Sequence, residues 1–158
     1  MSRMSKWISV IALVCLTLFV VVFLSEQLSA SLVGIEVVPA SDQQDAFSAL
    51  LASSKRGDFA RSQFREMESE NASDYAFITY TVKLSGSCPL PARWAELNLA
   101  PAQGDVLLIS DPIDVSPFGK GTLTATLLTH AASAGEARSL WAEYYVLGRA
   151  MNAPVYAS

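Results

Sequence analysis

The chain has 158 residues, and its 15 acidic and 11 basic side chains give a net charge of −4 at pH 7. This negative balance disfavours nucleic acid and anionic membrane surfaces as binding partners. The single histidine, His130, excludes any site within one chain that needs two imidazole groups, and without a GxGxxG motif or a P-loop no cofactor is expected.

An uncharged apolar run, WISVIALVCLTLFVVVFL, occupies residues 7–24. At a rise of about 1.5 Å per residue it forms a helix of about 27 Å, close to the thickness of a hydrocarbon core. Arg3 and Lys6 precede it and no basic residue follows before Lys55, which favours a cytoplasmic amino terminus. The expected organisation is a cytoplasmic segment at 1–6, a transmembrane helix at 7–24, a juxtamembrane segment at 25–31 and an extracytoplasmic domain at 32–158.

Two alternatives to an uncleaved anchor stay open for the same segment. A cleaved signal peptide would use Ser29, Ala30 and Ser31 as small residues at its cleavage site, but its apolar core is usually about 7 to 15 residues long. A lipoprotein leader would modify Cys15, which follows Val14 rather than a small residue. The length of the run favours the anchor, and it makes the lipid bilayer the first expected partner.

The domain begins with a strand and a short helix. The β-branched segment LVGIEVV at 32–38 predicts a first strand, which ends at Pro39. Ser41 and Gln44 resemble a capping box, and apolar residues at helical spacing then predict a helix over 42–54. We expect this helix to pack on the sheet as an accessory element, followed by a short edge strand at 59–64.

Alternating apolar and polar residues predict most of the remaining strands. The clearest is 75–84, YAFITYTVKL, and 93–99 shows the same period, so we expect these two strands to pair as antiparallel neighbours. Further strands are predicted at 105–110, from Gly121 onward, and at 138–147. Six or seven short strands with Pro and Gly turns indicate a mainly β protein, an antiparallel immunoglobulin-like β-sandwich with one accessory helix.

The segments SDYAFITYTVKL, RWAELNLAPAQGDVLLI, GKGTLTATLLT and LWAEYYVLG follow one another in this order. In this arrangement the chain resembles uncharacterised bacterial proteins that carry one leader or anchor helix and an immunoglobulin-like domain. The resemblance covers most of the domain and consists of strands and turns. It implies a fold and a location in the cell envelope, and it implies no catalytic residue.

Three features could carry chemistry, and each has a structural explanation. Asp105, Asp111 and Asp114 could support a metal-assisted hydrolase, but an aspartate beside a turn usually bonds the backbone, and their spacing matches no calcium loop. His130 begins a turn, where we expect it to be exposed to solvent. Cys88, which precedes Pro89, could crosslink to another chain or be a tolerated loop cysteine.

Aromatic side chains provide the most direct hypothesis for binding. Alternation places Trp94 and Trp141 opposite the apolar faces of their strands, so with Phe77 and Tyr145 they predict an exposed binding surface. The alternatives are that the inner and outer faces of these strands are reversed, or that the helix at 42–54 covers these residues. We therefore expect a noncatalytic, membrane-tethered binding or assembly module whose partner is another envelope protein. The alternatives are a structural subunit of a surface machine, or the hydrolase.

Overall fold

The computed structural model describes residues 3–24, 28–57, 63–87 and 89–157. Short 3-10 turns lie at Ala40–Gln43, Ala72–Asp74 and Ala131–Ser133. The helices and strands are α1 Arg3–Leu24, β1 Leu28–Pro39, α2 Gln44–Arg56, β2 Tyr75–Gly86, β3 Ala92–Leu99, β4 Asp105–Ser110, β5 Ile113–Val115, β6 Lys120–His130, β7 Leu140–Val146 and β8 Arg149–Ala157.

Helix α1 is apolar, and its side chains from Trp7 to Val20 are exposed. Nowhere in the described part of the chain is there a helix with both the length and the apolar character needed to cross a membrane. The structure therefore does not confirm the transmembrane helix predicted over 7–24.

Eight strands form one mixed sheet in the order β4-β6-β2-β1-β8-β7-β3-β5. The sheet curls into a half-barrel, and its two halves, β4-β6-β2-β1 and β8-β7-β3-β5, face each other across the main core. Strands β1 and β8 are parallel, with Ala30 opposite Val155, so the prediction of a purely antiparallel sheet is wrong. The reason is the tight hairpin at Leu147 and Gly148, which returns β8 beside β1 in the same direction.

Strands β2 and β3 do not pair with each other, which corrects a second prediction. Strand β2 pairs with β1 and β6, whereas β3 pairs with β7 and β5. The segment between Gly86 and Ala92 carries the chain from one half of the sheet across to the other. Strands β2 and β3, although neighbours in sequence, therefore lie in opposite halves of the sheet instead of sharing a ladder.

The core has two parts, one on each face of the β2-β6-β4 portion. The main core lies inside the half-barrel and contains the alternating residues predicted for β2, among them Ile78, Val82 and Leu84. The second core lies outside it, where Phe47 of α2 contacts the ring of Tyr75 at a centroid distance of 5.5 Å. This confirms the accessory helix, and it explains why the central residues of β4 are apolar on both faces.

Candidate functional site

A groove opens where the half-barrel fails to close, between β3 and β4. Its volume is about 490 Å³, within the range of small ligand pockets. The two strands are joined across the gap by a bond from the backbone N–H of Leu97 to the Ser110 hydroxyl, at 2.8 Å. The groove, called the aromatic groove below, is lined by Phe64, Trp94, Glu96, Leu97, Asn98, Leu108, Ser110 and Tyr145.

Trp94 is the most unusual residue of the aromatic groove. It lies in a bulge of β3, where the register shifts against both neighbouring strands, and its φ of 52° is in the left-handed region. A bulky side chain rarely adopts this conformation, which costs about 1 to 3 kcal/mol. The bulge turns the indole outward, so that 60% of Trp94 is exposed.

Asp114 holds this bulge in place. Its Oδ1 accepts the backbone N–H of Trp94 at 2.9 Å, and its Oδ2 pairs with Nη1 of Arg93 at 2.5 Å. The Trp94 N–H, followed by the Arg93 guanidinium, lowers the pKa of the Asp114 carboxyl. Asp114 is therefore a structural acceptor that stabilises an exposed tryptophan.

Tyr145 of β7 lies opposite Arg93 in the register and forms the next part of the groove wall. Beyond it, Glu96 and Glu143 face each other directly on the outer side of the sheet, and Nδ2 of Asn98 donates to Oε2 of Glu143 at 3.3 Å. The aromatic groove thus combines flat apolar rings with carboxylate and amide groups. Such a surface suits noncovalent recognition of a protein segment.

Asp105, the first of the three predicted acidic residues, is inaccessible to solvent. It forms a two-point ion pair with Arg138, in which Nη2 donates to Oδ1 at 2.6 Å and Nε donates to Oδ2 at 3.1 Å. The two side chains are 0% and 1% exposed. Burial raises the pKa of Asp105, but bonds from Arg138, the Ala102 N–H and Thr129 outweigh it and hold that pKa below its usual value.

The three aspartates therefore do not form a site. Asp105 is buried with Arg138, Asp114 supports Trp94, and Asp111 is exposed in the turn between β4 and β5. No group of three metal-ligating side chains occurs within the described ranges. The geometry thus explains Asp105 and Asp114 as structural acceptors.

Only part of the predicted aromatic surface comes together. Trp94 and Tyr145 both line the aromatic groove, while Trp141 is half-buried beside it, opposite Asn98 in the register. Phe77 is only 4% exposed and lies in the second core, because α2 covers its side of β2. The prediction that Phe77 is part of an exposed binding surface is therefore wrong.

Phe64 and Ser110 also line the groove, although neither was predicted from the sequence. Phe64 reaches the groove because residues 63–65 run along the edge of β4, where the Phe64 N–H donates to the Val106 carbonyl at 2.8 Å. The only available signal was the short edge strand predicted at 59–64, most of which lies outside the described residues. No pattern in the sequence indicated a role for Ser110, because that role depends on how closely β4 approaches β3.

Two other predicted features have different outcomes. His130 is partly buried rather than exposed, since its ring stacks on Tyr75 at a centroid distance of 4.8 Å. Its Nε2 is buried and has no hydrogen-bond partner among the described residues. Cys88 lies outside the described residues.

No family model and no curated protein matches the chain. Among solved structures, a FixG-related protein from Vibrio parahaemolyticus is 10% identical to this chain, with a TM-score of 0.39. The match covers 82% of this chain and 94% of that protein. An uncharacterised β-sandwich protein from Clostridium difficile 630 is 8% identical, with coverages of 83% and 87% and a TM-score of 0.37. The cupredoxin domain of amoB from Nitrosocaldus yellowstonii is 12% identical, with coverages of 83% and 88% and a TM-score of 0.34. All three TM-scores are below 0.5, so these similarities assign neither a family nor a function to this chain.

Proposed function

We propose that the protein is a noncatalytic binding or assembly module with an immunoglobulin-like head, tethered to the membrane, and that the aromatic groove contacts its partner. The observation that supports this most directly is the conformation of Trp94. Its backbone is strained and its indole is exposed, so the isolated domain gains little from this arrangement. A partner that covers the indole would recover the free energy of burying it.

The chemistry of the groove fits a protein partner. Tryptophan, tyrosine and arginine are the residues that most often dominate binding energy at interfaces, and the groove has Trp94 and Tyr145 beside Arg93. A buried aromatic side chain removes about 150 to 250 Å² from water. The carboxylate and amide groups of Glu96 and Asn98 supply the polar contacts that orient a bound segment.

The tether is the amino-terminal helix. Its exposed apolar side chains, from Trp7 to Val20, have no polar stripe that would suit water on one side of the helix. We propose that residues 7–24 lie in the bilayer with Arg3 and Lys6 on the cytoplasmic side and the head outside. A membrane tether confines the head to a thin layer and raises its effective concentration near other envelope proteins.

The test is site-specific photocrosslinking of the full chain in native membranes. A photoreactive residue at position 145 should form a discrete adduct with one envelope protein, and Trp94→Ala should reduce its yield by tenfold or more. Phe118→Ala is the matched control, because Phe118 also has a φ of 52° and is 66% exposed but lies outside the groove. Equal adduct yields in both variants would contradict the role of the groove.

The tether has its own test, which does not depend on the partner. Carbonate washing of membranes should leave the full chain in the pellet, and protease added from outside should digest the head. Recovery of the full chain in the soluble fraction would contradict the tether.

A structural subunit of a surface assembly is the second candidate. The observation that favours it is the second edge of β1, which pairs with β8 over Ala30 to Leu32 but with no strand over 33–38 among the described residues. Exposed strand edges are templates for pairing with another chain.

A further inference from the structure

Strand β1 is paired along one edge and only partly along the other. Its first edge pairs with β2 from Leu28 to Pro39. Its second edge pairs with β8 over Ala30 to Leu32, and Leu32 lies opposite Ala157, the last described residue of β8. Over 33–38 no strand pairs with this second edge in the described part of the chain.

This half of β1 is also apolar and exposed. A register shift at Gly34 places Ile35 opposite Tyr80 and Val37 opposite Ile78, on the side of the sheet that faces the main core. Even so, Ile35 is 57% exposed and Val37 is 51% exposed. The core-facing side of β1 is therefore uncovered beyond the end of β8.

A cavity of about 410 Å³ lies beside this edge. Its apolar wall includes Leu32, Ile35, Ile78 and Leu140, and the loop at 134–138 forms its other side. Lower in the sheet, β8 fills the position between β1 and β7, where Trp141 is opposite Pro154. The cavity, called the strand slot below, continues the position that β8 occupies beside β1.

We propose that the strand slot binds an extended segment of a partner polypeptide, which continues the sheet along β1 past the end of β8. An extended chain fits because the edge offers a row of backbone donors and acceptors to pair with. Side chains at alternate positions of the segment enter the slot and contact Ile35 and Val37, so these positions are apolar. A complete second sheet does not fit, because the loop at 134–138 closes the far side.

Charge specifies the opposite face of the bound segment. Glu36 is exposed on the outer side of β1, opposite Thr79 in the register. A lysine or arginine at an outward position of the segment would lie across from this carboxylate, and opposite charges across a strand pair stabilise it. The partner segment is therefore extended, apolar at every second residue, and basic between them.

The first experiment supplies such a segment within the chain. A seven-residue strand, with valine inward and threonine or lysine outward, is joined directly after Ser158, and the chain is studied in detergent micelles. We expect the thermal midpoint of the head to rise by about 4 °C or more. Amide hydrogen exchange at 33–38 should slow by about tenfold or more.

Three controls make the result specific. The same extension with proline at two inward positions cannot pair, so it should give no rise. Ile35→Lys should abolish the rise, whereas Leu147→Lys should not, since Leu147 is 70% exposed but lies in the β7–β8 turn. A midpoint equal to that of the proline extension, or unchanged exchange at 33–38, would overturn the proposal.

The second experiment offers the valine strand as a separate labelled peptide. Saturable binding should weaken by tenfold or more in Ile35→Lys and remain unchanged in Trp94→Ala, which separates the strand slot from the aromatic groove. Slow exchange at 33–38 in the unextended protein, together with a dimer in sedimentation, would assign the edge to a second copy and overturn the proposal.

Discussion

The buried ion pair of Asp105 and Arg138 permits a quantitative prediction about stability. In Arg138→Met, Asp105 stays buried and loses the two bonds that Nη2 and Nε donate to it. Arg138 also donates to the Thr129 hydroxyl at 3.3 Å and to the Ser133 carbonyl at 2.9 Å, so these acceptors lose a donor as well. Removal of one partner from a buried pair costs about 3 to 5 kcal/mol, and we expect a loss in this range at pH 7.

The pH dependence of this loss follows from the pKa of Asp105. In the native protein that pKa is lowered, so the stability contributed by the carboxylate is full above its unfolded pKa of about 3.9 and is lost as the pH falls through the folded value. In Arg138→Met, burial acts without the arginine and raises the pKa. Acidification therefore stabilises the variant relative to the native protein. The difference between their unfolding free energies becomes smaller from pH 7 to pH 4.

The assay is urea unfolding of the full chain in detergent micelles, followed by tryptophan fluorescence at several pH values. Arg93→Met is the matched control, because the Arg93–Asp114 pair is 64% and 52% exposed, and solvent screening leaves such a pair little effect on stability. The double variant Asp105→Asn with Arg138→Met should recover at least half of the loss, since no buried charge remains. A loss equal to that of Arg93→Met, or one independent of pH, would refute the reasoning.

Two further substitutions test the region around His130. His130→Phe keeps a ring against Tyr75 and removes the buried nitrogen that has no partner among the described residues. The unfolding free energy, measured by thermal unfolding, should therefore rise by up to about 1 kcal/mol. A fall of more than about 1 kcal/mol would mean that the nitrogen is hydrogen-bonded in the native protein. Gly104→Ala places a Cβ 2.5 Å from Cβ of Ser133 and should cost about 1 to 3 kcal/mol, whereas Gly135→Ala meets nothing within 4 Å and should change the unfolding free energy by less than 0.5 kcal/mol.

Periodicity in the sequence was enough to find the strands that bury one face. The inward residues predicted for β3 and β7, including Ala95, Leu97, Ala142 and Tyr144, are all buried. Strand β8 was not predicted because it contains Pro154 and only Ala153 of its nine residues is fully buried, so it has no clear alternation. The period of a strand depends on its own two faces, which is why it can be seen without knowing the strand's neighbours.

Strand partners could not be predicted in the same way. The segment between Gly86 and Ala92 is as short as many hairpin loops, yet the strands that it joins lie in opposite halves of the sheet. Whether such a loop pairs two strands or passes between the halves of a sheet depends on long-range burial, which local composition does not report. The aromatic groove was predicted only in part for the same reason. Alternation predicted that Trp94 and Tyr145 are exposed, but Phe64 and Ser110 join them only because β4 approaches β3.

Both proposed binding sites lie where this sheet lacks a neighbouring strand. A sheet that closed into a complete barrel would have no edge to offer a partner. Here the gap between β3 and β4 forms the aromatic groove, and the strand slot lies beside the part of β1 that β8 does not pair with. The main core is packed between the two halves of the sheet, so the head can have two open edges without losing its core. Because the aromatic groove and the strand slot share no lining residue, substitutions at Trp94 and Ile35 should act independently, each weakening binding at its own site and leaving binding at the other site unchanged.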